Sequence, residues 1–144
     1  GDVLLFRSDV LEFFMEKQQL LHKLCLTNLL PLAFLGDSVH TMFVREKILQ
    51  ANDDKMTNYH TVAASFCKAS AQKQALERLQ PLLNEQEKEI VRRARNAHPK
   101  HSAKNASSHD YAQATAFEAL IGYLYLSENS QRLEQFLEIS MQKE

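Results

Sequence analysis

Apolar residues recur at intervals of three and four along most of the chain, which is the spacing that lines one face of an α-helix. Short polar or proline-containing stretches separate these runs. The predicted helices span residues 8–26, 28–48, 57–80, 84–98, 109–126 and 130–141. The pattern therefore predicts an all-α fold, a helical bundle in which each helix buries one apolar face.

Residues at the predicted helix ends support these boundaries. Ser8 is a suitable N-cap for the first helix, and Pro31 falls in the first turn of the second, where a missing N–H is tolerated. The third predicted helix stops before Pro81, because the residue preceding a proline disfavours helical geometry. Asn84 can cap the fourth helix, with Glu87 in the capping-box position.

The composition agrees with a single helical domain. A chain of 144 residues is long enough for one compact core, and three Gly and three Pro favour helices over a β-sandwich. No apolar run approaches the roughly 20 residues needed to cross a bilayer, and the N-terminal residues lack a signal-peptide pattern. We therefore expect a soluble, cytoplasmic protein with no membrane partner.

Two cysteines, Cys25 and Cys67, lie far apart in apolar helical patterns and have no C-x-x-C partner. Such thiols commonly behave as small hydrophobic side chains. A disulfide or a zinc site is the less favoured interpretation. We expect both cysteines to be free.

One stretch of the chain differs from the rest in charge. The net charge is −1, yet no acidic residue occurs between Glu89 and Asp110. The cations of this stretch are Arg92, Arg93, Arg95, Lys100 and Lys104. Basic side chains of this kind can bind the phosphate backbone of a nucleic acid, with an affinity that depends on salt. The alternative is a solvated helix face whose arginines form surface salt bridges.

Two carboxylates lie on helix faces that are otherwise apolar or small. Successive residues of a helix turn by about 100°, which places Asp37 and Glu118 on the inward faces of their helices. A carboxylate is almost never buried without a partner, because desolvation of its charge is costly. Taken alone, each is better explained by an ion pair with Arg, a helix cap or a tyrosine contact. The two together favour a divalent cation between them.

Both glycines after Gly1 lie beside these carboxylates. Gly36 precedes Asp37, and Gly122 lies one turn beyond Glu118. Glycine inside a helix costs about 1 kcal/mol relative to alanine, so we expect the two helices to cross closely there. The carboxylates would then converge into an oxygen-ligand site suited to Mg²⁺. Such a site fits phosphodiester hydrolysis, in which the metal activates water and stabilises developing charge.

Two sequence blocks around these residues are recognisable. LAFLGDSV at residues 32–39 resembles the signature helix of ribonuclease III domains, and AFEALIG at residues 116–122 resembles its catalytic counterpart. With RRARNA at residues 92–97 and no following double-stranded-RNA-binding domain, the chain is similar to the Mini-III branch of that family. The resemblance covers residues 28–144, which we interpret as the catalytic domain, and residues 1–27 as an N-terminal helical extension.

This resemblance implies the helical bundle of a ribonuclease III endonuclease domain and a homodimer that cleaves double-stranded RNA. It implies Mg²⁺-dependent hydrolysis, with Mn²⁺ as an alternative cation, giving 5′-phosphate and 3′-hydroxyl ends. The implied substrate is the large-subunit ribosomal RNA precursor, and a ribosomal protein partner is left open. Asp37 and Glu118 are carried over as catalytic and metal-binding carboxylates, and Phe34 as a dimer contact. The expected RNA-binding residues are Arg92, Arg93, Arg95, Asn96, Lys100 and Lys104.

The chain departs from full-length ribonuclease III enzymes at two acidic positions. Ala33 stands where they have Glu and Thr115 where they have Asp, a reduction that Mini-III proteins share. The number of metal ions is therefore open. The loss also leaves an alternative function, a non-catalytic RNA- or ribosome-binding protein on the same scaffold. Asp37 and Glu118, retained on inward faces, favour the enzyme.

Overall fold

The computed structural model describes residues 15–51, 58–97 and 107–143, which are helical almost throughout. The helices are α1 (Lys17–Cys25), α2 (Leu30–Ala51), α3 (Tyr59–Cys67), α4 (Ala69–Leu79), α5 (Glu85–Asn96), α6 (Ser107–Leu126) and α7 (Ser130–Ser140). A 3-10 turn at Gln80–Leu82 follows α4. These ranges contain no strand, which confirms the all-α prediction for the part of the chain that they cover.

One predicted helix is wrong. The single helix expected over residues 57–80 is two helices, α3 and α4, separated at Lys68, whose backbone is extended with ψ 157°. The helix predicted over residues 8–26 agrees only in its C-terminal part, because Glu16 is extended, with ψ 158°, and α1 begins at Lys17. The remaining described helices agree closely with the predicted ranges. The predicted cap at Ser8 and most of the loop predicted over residues 99–108 lie outside the described residues.

Helix α6 occupies the centre of the bundle. Its residues 116, 117, 119, 120 and 121 are fully buried, and a helix that is apolar on all sides is stable only when surrounded by others. Helices α2, α4 and α5 pack directly against it, and α7 packs against α4 and α6. A smaller cluster of Val44, Ile48 and Ala63 joins α2 to α3. The central position of α6 fixes the site described below, because α6 carries Glu118.

The predicted capping box at the start of α5 is confirmed. The Glu87 N–H donates to Asn84 Oδ1, and the Asn84 N–H donates to Glu87 Oε1, each at 2.9 Å. Glu87 is only 1% exposed and accepts two hydrogen bonds from the Arg132 guanidinium of α7. Burial opposes its ionisation, but these donors still hold the pKa of Glu87 below its usual value. The pair therefore ties α5 to α7.

Helix α1 is held on the bundle at both of its ends. Arg93 Nη2 donates to the Cys25 carbonyl oxygen at 2.8 Å, and Lys17 Nζ lies 4.4 Å from the centre of the Tyr125 ring. Cys25 and Cys67 are free thiols, as predicted. Within the described ranges, no helix combines the length and apolar character needed to cross a membrane.

Candidate active site

The two interior glycines lie where α2 and α6 cross. A Cβ atom at Gly36 would lie 1.7 Å from the carbonyl oxygen of Glu118, and one at Gly122 would lie 2.2 Å from that of Leu32. Atoms cannot approach so closely, so any larger residue would separate the helices. The predicted close crossing is therefore confirmed, and it brings Asp37 and Glu118 to the same end of the contact.

The carboxyl groups of Asp37 and Glu118 lie within hydrogen-bonding reach of each other. Burial of Glu118, together with its hydrogen bond to Asp37 and the negative charge there, raises the pKa of Glu118 to about 8. Two carboxyl groups this close cannot both ionise without cost, so Glu118 keeps its proton at neutral pH. The site is consequently short of positive charge.

The expectation that both carboxylates point inward is only half right. Glu118 is partly buried, but Asp37 is exposed. Leu32, Ala33, Gly36 and His40 form the buried face of α2 around this point. Asp37 lies at the edge of that face, so its carboxylate reaches both Glu118 and solvent.

Buried polar groups surround the carboxyl pair from behind. Gln72 of α4 is 3% exposed, and its Nε2 lies 3.1 Å from Nδ1 of His40, which is 1% exposed. Gln72 also hydrogen-bonds Glu118 and counteracts part of the rise in its pKa. His40 stacks edge-on against Phe117, with ring centroids 4.9 Å apart. Burial lowers the pKa of His40 to about 4, so this imidazole is neutral at ordinary pH.

Cys67, at the end of α3, lies on another side of the pair. Burial raises the pKa of its thiol, while a hydrogen bond with Thr41 acts in the opposite direction. The charges of Asp37 and Glu118 also reach this sulfur. A thiol with a raised pKa is protonated at neutral pH and is a poor nucleophile.

The two positions that lack an acidic residue differ in how deeply their side chains are buried. Ala33 is 7% exposed and packs in the core, whereas Thr115 is partly buried. Among the described residues there is no cluster of three or more His, Cys, Asp or Glu side chains that could hold a metal ion. A cation at this site would therefore have two protein carboxylates and otherwise water or substrate as ligands.

An open groove of about 450 Å³ runs along α2 beside Asp37. Ser38, Thr41, Met42 and Arg45 line it, together with Glu46 and Leu49 at its far end. The groove gives a large substrate access to the carboxyl pair. These residues do not form a deep, enclosed pocket of the kind that binds a small molecule.

The predicted RNA-binding residues on α5 have different environments. Arg92 is exposed and pairs with Glu89 at 2.6 Å, as the alternative interpretation of a solvated face expects. Arg93 holds α1, Arg95 is partly buried, and Asn96 is exposed. Lys100 and Lys104 lie outside the described residues. The RNA-binding assignment of these residues stays a prediction.

Sequence reasoning missed Gln72 and Cys67 as neighbours of the carboxyl pair, whereas helical periodicity places Thr41 on the same side of its helix as Asp37. A signal for Gln72 was present, because it shares a helix face with Ala75, Leu76 and Leu79, which are all buried. A polar residue on such a face needs a partner for the same reason as Asp37 and Glu118. Cys67 gave no such signal, because a free thiol in an apolar helical pattern commonly behaves as a small hydrophobic side chain.

Comparison with known proteins agrees with this geometry. The Ribonuclease III domain model matches residues 30–129. The chain is 40% identical to "Mini-ribonuclease 3" of Thermoanaerobacter sp. (strain X514) over 90% of its length and 92% of that protein's. It is 44% identical to "Mini-ribonuclease 3" of Brevibacillus brevis over 86% of its length and 92% of that protein's.

A solved structure has a similar fold. The crystal structure of a Fusobacterium nucleatum protein superposes with a TM-score of 0.69 at 27% identity, covering 78% of this chain and 90% of that one. The similarity to the Thermoanaerobacter protein covers 90% of this chain. Residues 28–144 make up a smaller share of the chain, so the similarity also extends into the residues before 28. The chain therefore belongs to the ribonuclease III family and, within it, to the Mini-ribonuclease 3 proteins.

Proposed function

We propose that this protein is a Mg²⁺-dependent endoribonuclease that cuts double-stranded RNA and leaves 5′-phosphate and 3′-hydroxyl ends. Its proposed natural substrate is the precursor of large-subunit ribosomal RNA, and its proposed compartment is the cytoplasm. Family membership supports ribonuclease activity. The assignments of Mg²⁺, of the RNA ends and of the ribosomal RNA substrate rest on the site and on the resemblance of its motifs.

The observation that carries this proposal is the carboxyl pair of Asp37 and Glu118. The proton that Glu118 keeps beside Asp37 means that the site favours a positive charge, and a divalent cation would replace that proton. Mg²⁺ commonly binds through one or two carboxylates, several waters and a substrate phosphate. The residues present fit that requirement, with Mn²⁺ as an alternative cation.

Asp37 and Glu118 would have different roles at a bound cation. Asp37 is exposed at the groove and would meet the substrate phosphate through the cation, while Glu118 would anchor it from the protein side. When bound, a divalent cation activates water and stabilises charge on the transferring phosphate. The groove is open along α2, so the proposed duplex would reach the carboxyl pair from this side.

Two further parts of the proposal concern partners. We propose that the basic stretch binds the RNA backbone, because A-form RNA is recognised mainly through phosphates and 2′-hydroxyl groups. The residues proposed for this contact are Arg92, Arg95 and Asn96, together with Lys100 and Lys104, which lie beyond the described residues. Arg93 is included through the family motif, although its guanidinium also holds α1. We also propose a homodimer that uses the exposed face of α2 around Phe34, which is 82% exposed.

The test is incubation of the purified protein with long double-stranded RNA and Mg²⁺, with EDTA as control. Asp37→Asn should lower the cleavage rate more than about 100-fold, because the loss of the metal charge removes several kcal/mol of transition-state stabilisation. Glu77→Gln, an exposed carboxylate on α4, is the matched control and should cleave normally. Mg²⁺-dependent cleavage by Asp37→Asn at the wild-type rate would refute the site.

A further inference from the structure

Packing alone does not explain why Gln72 is buried. Its neighbours on the same face of α4 are Ala75, Leu76 and Leu79, and an apolar side chain would pack there without any hydrogen bond. A buried amide costs free energy unless its hydrogen bonds are made. Gln72 makes them to two partners, His40 of α2 and Glu118 of α6.

The chemistry of these partners fixes which end of the amide faces them. The hydrogen bond from Gln72 lowers the pKa of Glu118 and so favours its ionised form, which only accepts hydrogen bonds. The amide nitrogen of Gln72 is therefore the end that serves Glu118. The same nitrogen lies 3.1 Å from Nδ1 of His40, which must then accept, and the His40 proton is on Nε2. That Nε2 has no hydrogen-bond partner among the described residues. His40 therefore acts as a buried acceptor that holds Gln72 from behind.

His40 is itself rigid, which makes it a suitable anchor. It is 1% exposed, sits one turn after Gly36 on the helix that crosses α6, and packs edge-on against Phe117. Phe117 is adjacent to Glu118 in α6 and is fully buried. The chain His40–Gln72–Glu118 thus links the three helices α2, α4 and α6 behind the carboxyl pair.

We propose that Gln72 is a positioning residue that holds the Glu118 carboxyl group in the orientation required to bind a divalent cation together with Asp37. This inference rests on the proposed function, since it assumes a cation between those two carboxylates. Without the amide, Glu118 could turn about its side-chain bonds, and the cation would lose a fixed ligand. Loss of such a supporting hydrogen bond typically weakens metal binding or activity by about 10–100-fold.

The test is a calorimetric titration of the RNA-free protein with Mn²⁺, in wild type and in Gln72→Leu. Leucine fills similar space but donates no hydrogen bond. We expect Gln72→Leu to bind Mn²⁺ about 10–100-fold more weakly. In cleavage assays it should need a correspondingly higher Mg²⁺ concentration, and its maximal rate should recover toward wild type when Mg²⁺ is saturating.

Two further variants separate positioning from stability. Gln74→Leu changes an exposed glutamine two residues away on α4 and should bind Mn²⁺ normally. His40→Phe keeps the Gln72–Glu118 contact and should weaken Mn²⁺ binding less than Gln72→Leu does. If Gln72→Leu does not fold, Gln72→Met, which is unbranched and also lacks a donor, replaces it in the titration.

The outcomes are distinguishable. Weaker Mn²⁺ binding by Gln72→Leu, with normal binding by Gln74→Leu, supports the inference. A lower melting temperature with unchanged Mn²⁺ affinity would show that Gln72 is structural, and the inference would be wrong while the proposed function stands. A wild-type protein that neither binds Mn²⁺ nor cleaves RNA would overturn both.

Discussion

At the scale of single residues, the Asp37–Glu118 pair determines how this site responds to pH. Glu118 would ionise readily in water, but its burial and its contact with Asp37 keep a proton on it. The folded pKa of Glu118, about 8, lies above its ordinary value of 4.5. Without a cation, the stability from this group is therefore full below that ordinary value and is lost as pH rises through about 8.

This proton predicts that cation binding is linked to proton release. At pH 7 a divalent cation should displace close to one proton from the pair, whereas above pH about 8 it should displace little, because Glu118 is then already ionised. Calorimetric titrations with Mg²⁺ in two buffers of different ionisation enthalpy measure this number directly. Glu118→Gln serves as the control without the titrating group. Equal heats in both buffers at pH 7 would contradict the presence of this proton on Glu118.

The residues of the site were only partly predictable from the sequence. Asp37 and Glu118 could be found because charges on apolar helix faces need a partner. The exposure of Asp37 could not, since a helical wheel gives a direction but not the height at which the neighbouring helix crosses. The partners of Gln72 could not be predicted either, because they depend on how α4 is placed against α2 and α6.

At the scale of helices, the crossing of α2 and α6 predicts an unusual response to alanine. In an open helix, Gly36→Ala should stabilise the protein by about 1 kcal/mol through helix propensity. Here the new Cβ would overlap the Glu118 carbonyl oxygen, a backbone atom that cannot turn away. We expect a loss of about 3 kcal/mol or more, at the upper end of overpacking costs, together with loss of cleavage.

Chemical denaturation of Gly36→Ala and of Ser38→Ala measures this effect. Ser38 is exposed on the same helix, two residues away, and its replacement should change stability by less than about 0.5 kcal/mol. A Gly36→Ala protein that is as stable as wild type would mean that the helices do not cross as closely as described.

The buried pair of Glu87 and Arg132 predicts an asymmetry between its two partners. Arg132→Met should destabilise by about 3–5 kcal/mol at neutral pH, because it leaves an unpaired carboxylate that is 1% exposed. Glu87→Gln should cost less, since the Arg132 side chain is 27% exposed and can reach water. Thermal or denaturant unfolding of the two variants compares them.

The pH dependence of stability provides a check on the Glu87–Arg132 pair. The folded pKa of Glu87 is lowered, so its stabilisation is present above its ordinary value of 4.5 and is lost as pH falls through the folded pKa. In Arg132→Met the carboxyl group can instead be neutralised in acid, so the gap between variant and wild type should narrow at low pH. A gap that stays constant would contradict the role of Arg132 as the charge partner.

The break between α3 and α4 shows why the element prediction failed there. Neither Gly nor Pro occurs near Lys68, so no local signal ends the helix. The break allows α3 to pack on α2 through Val44, Ile48 and Ala63, while α4 packs on α6. A single straight helix could not contact both surfaces, so the break is a result of tertiary packing.

At the scale of the whole molecule, helical periodicity predicts which faces meet within one chain but not which faces meet between chains. Helix α2 shows the difference, because its buried face follows from the pattern while its exposed face carries large apolar side chains. Phe34, Met42 and Leu49 are 82%, 62% and 61% exposed, and their spacing places them on one side of α2. Met42 and Leu49 of this strip also line the groove beside Asp37, so a partner bound there would form part of the groove wall.

This strip predicts that Phe34 stabilises a homodimer. Truncation of an aromatic anchor at the centre of an interface typically costs 2 kcal/mol or more, which raises the dissociation constant by about 30-fold or more. Phe34→Ala should therefore shift sedimentation toward the monomer at concentrations where wild type is dimeric. Its unfolding in denaturant should change little apart from the loss of the dimer, because an 82% exposed side chain contributes little to the core of its own chain.

The matched control is Leu82→Ala, which removes an exposed apolar side chain from the 3-10 turn, away from α2. It should leave the association unchanged. A dimer places two carboxyl pairs on one assembly related by a two-fold axis, and the two strands of a duplex are related in the same way, so each pair would serve one strand. Phe34→Ala should then lose paired cuts on opposite strands before it loses single-strand nicks. Dimer formation equal to wild type in Phe34→Ala at low concentration would place the interface elsewhere on the molecule.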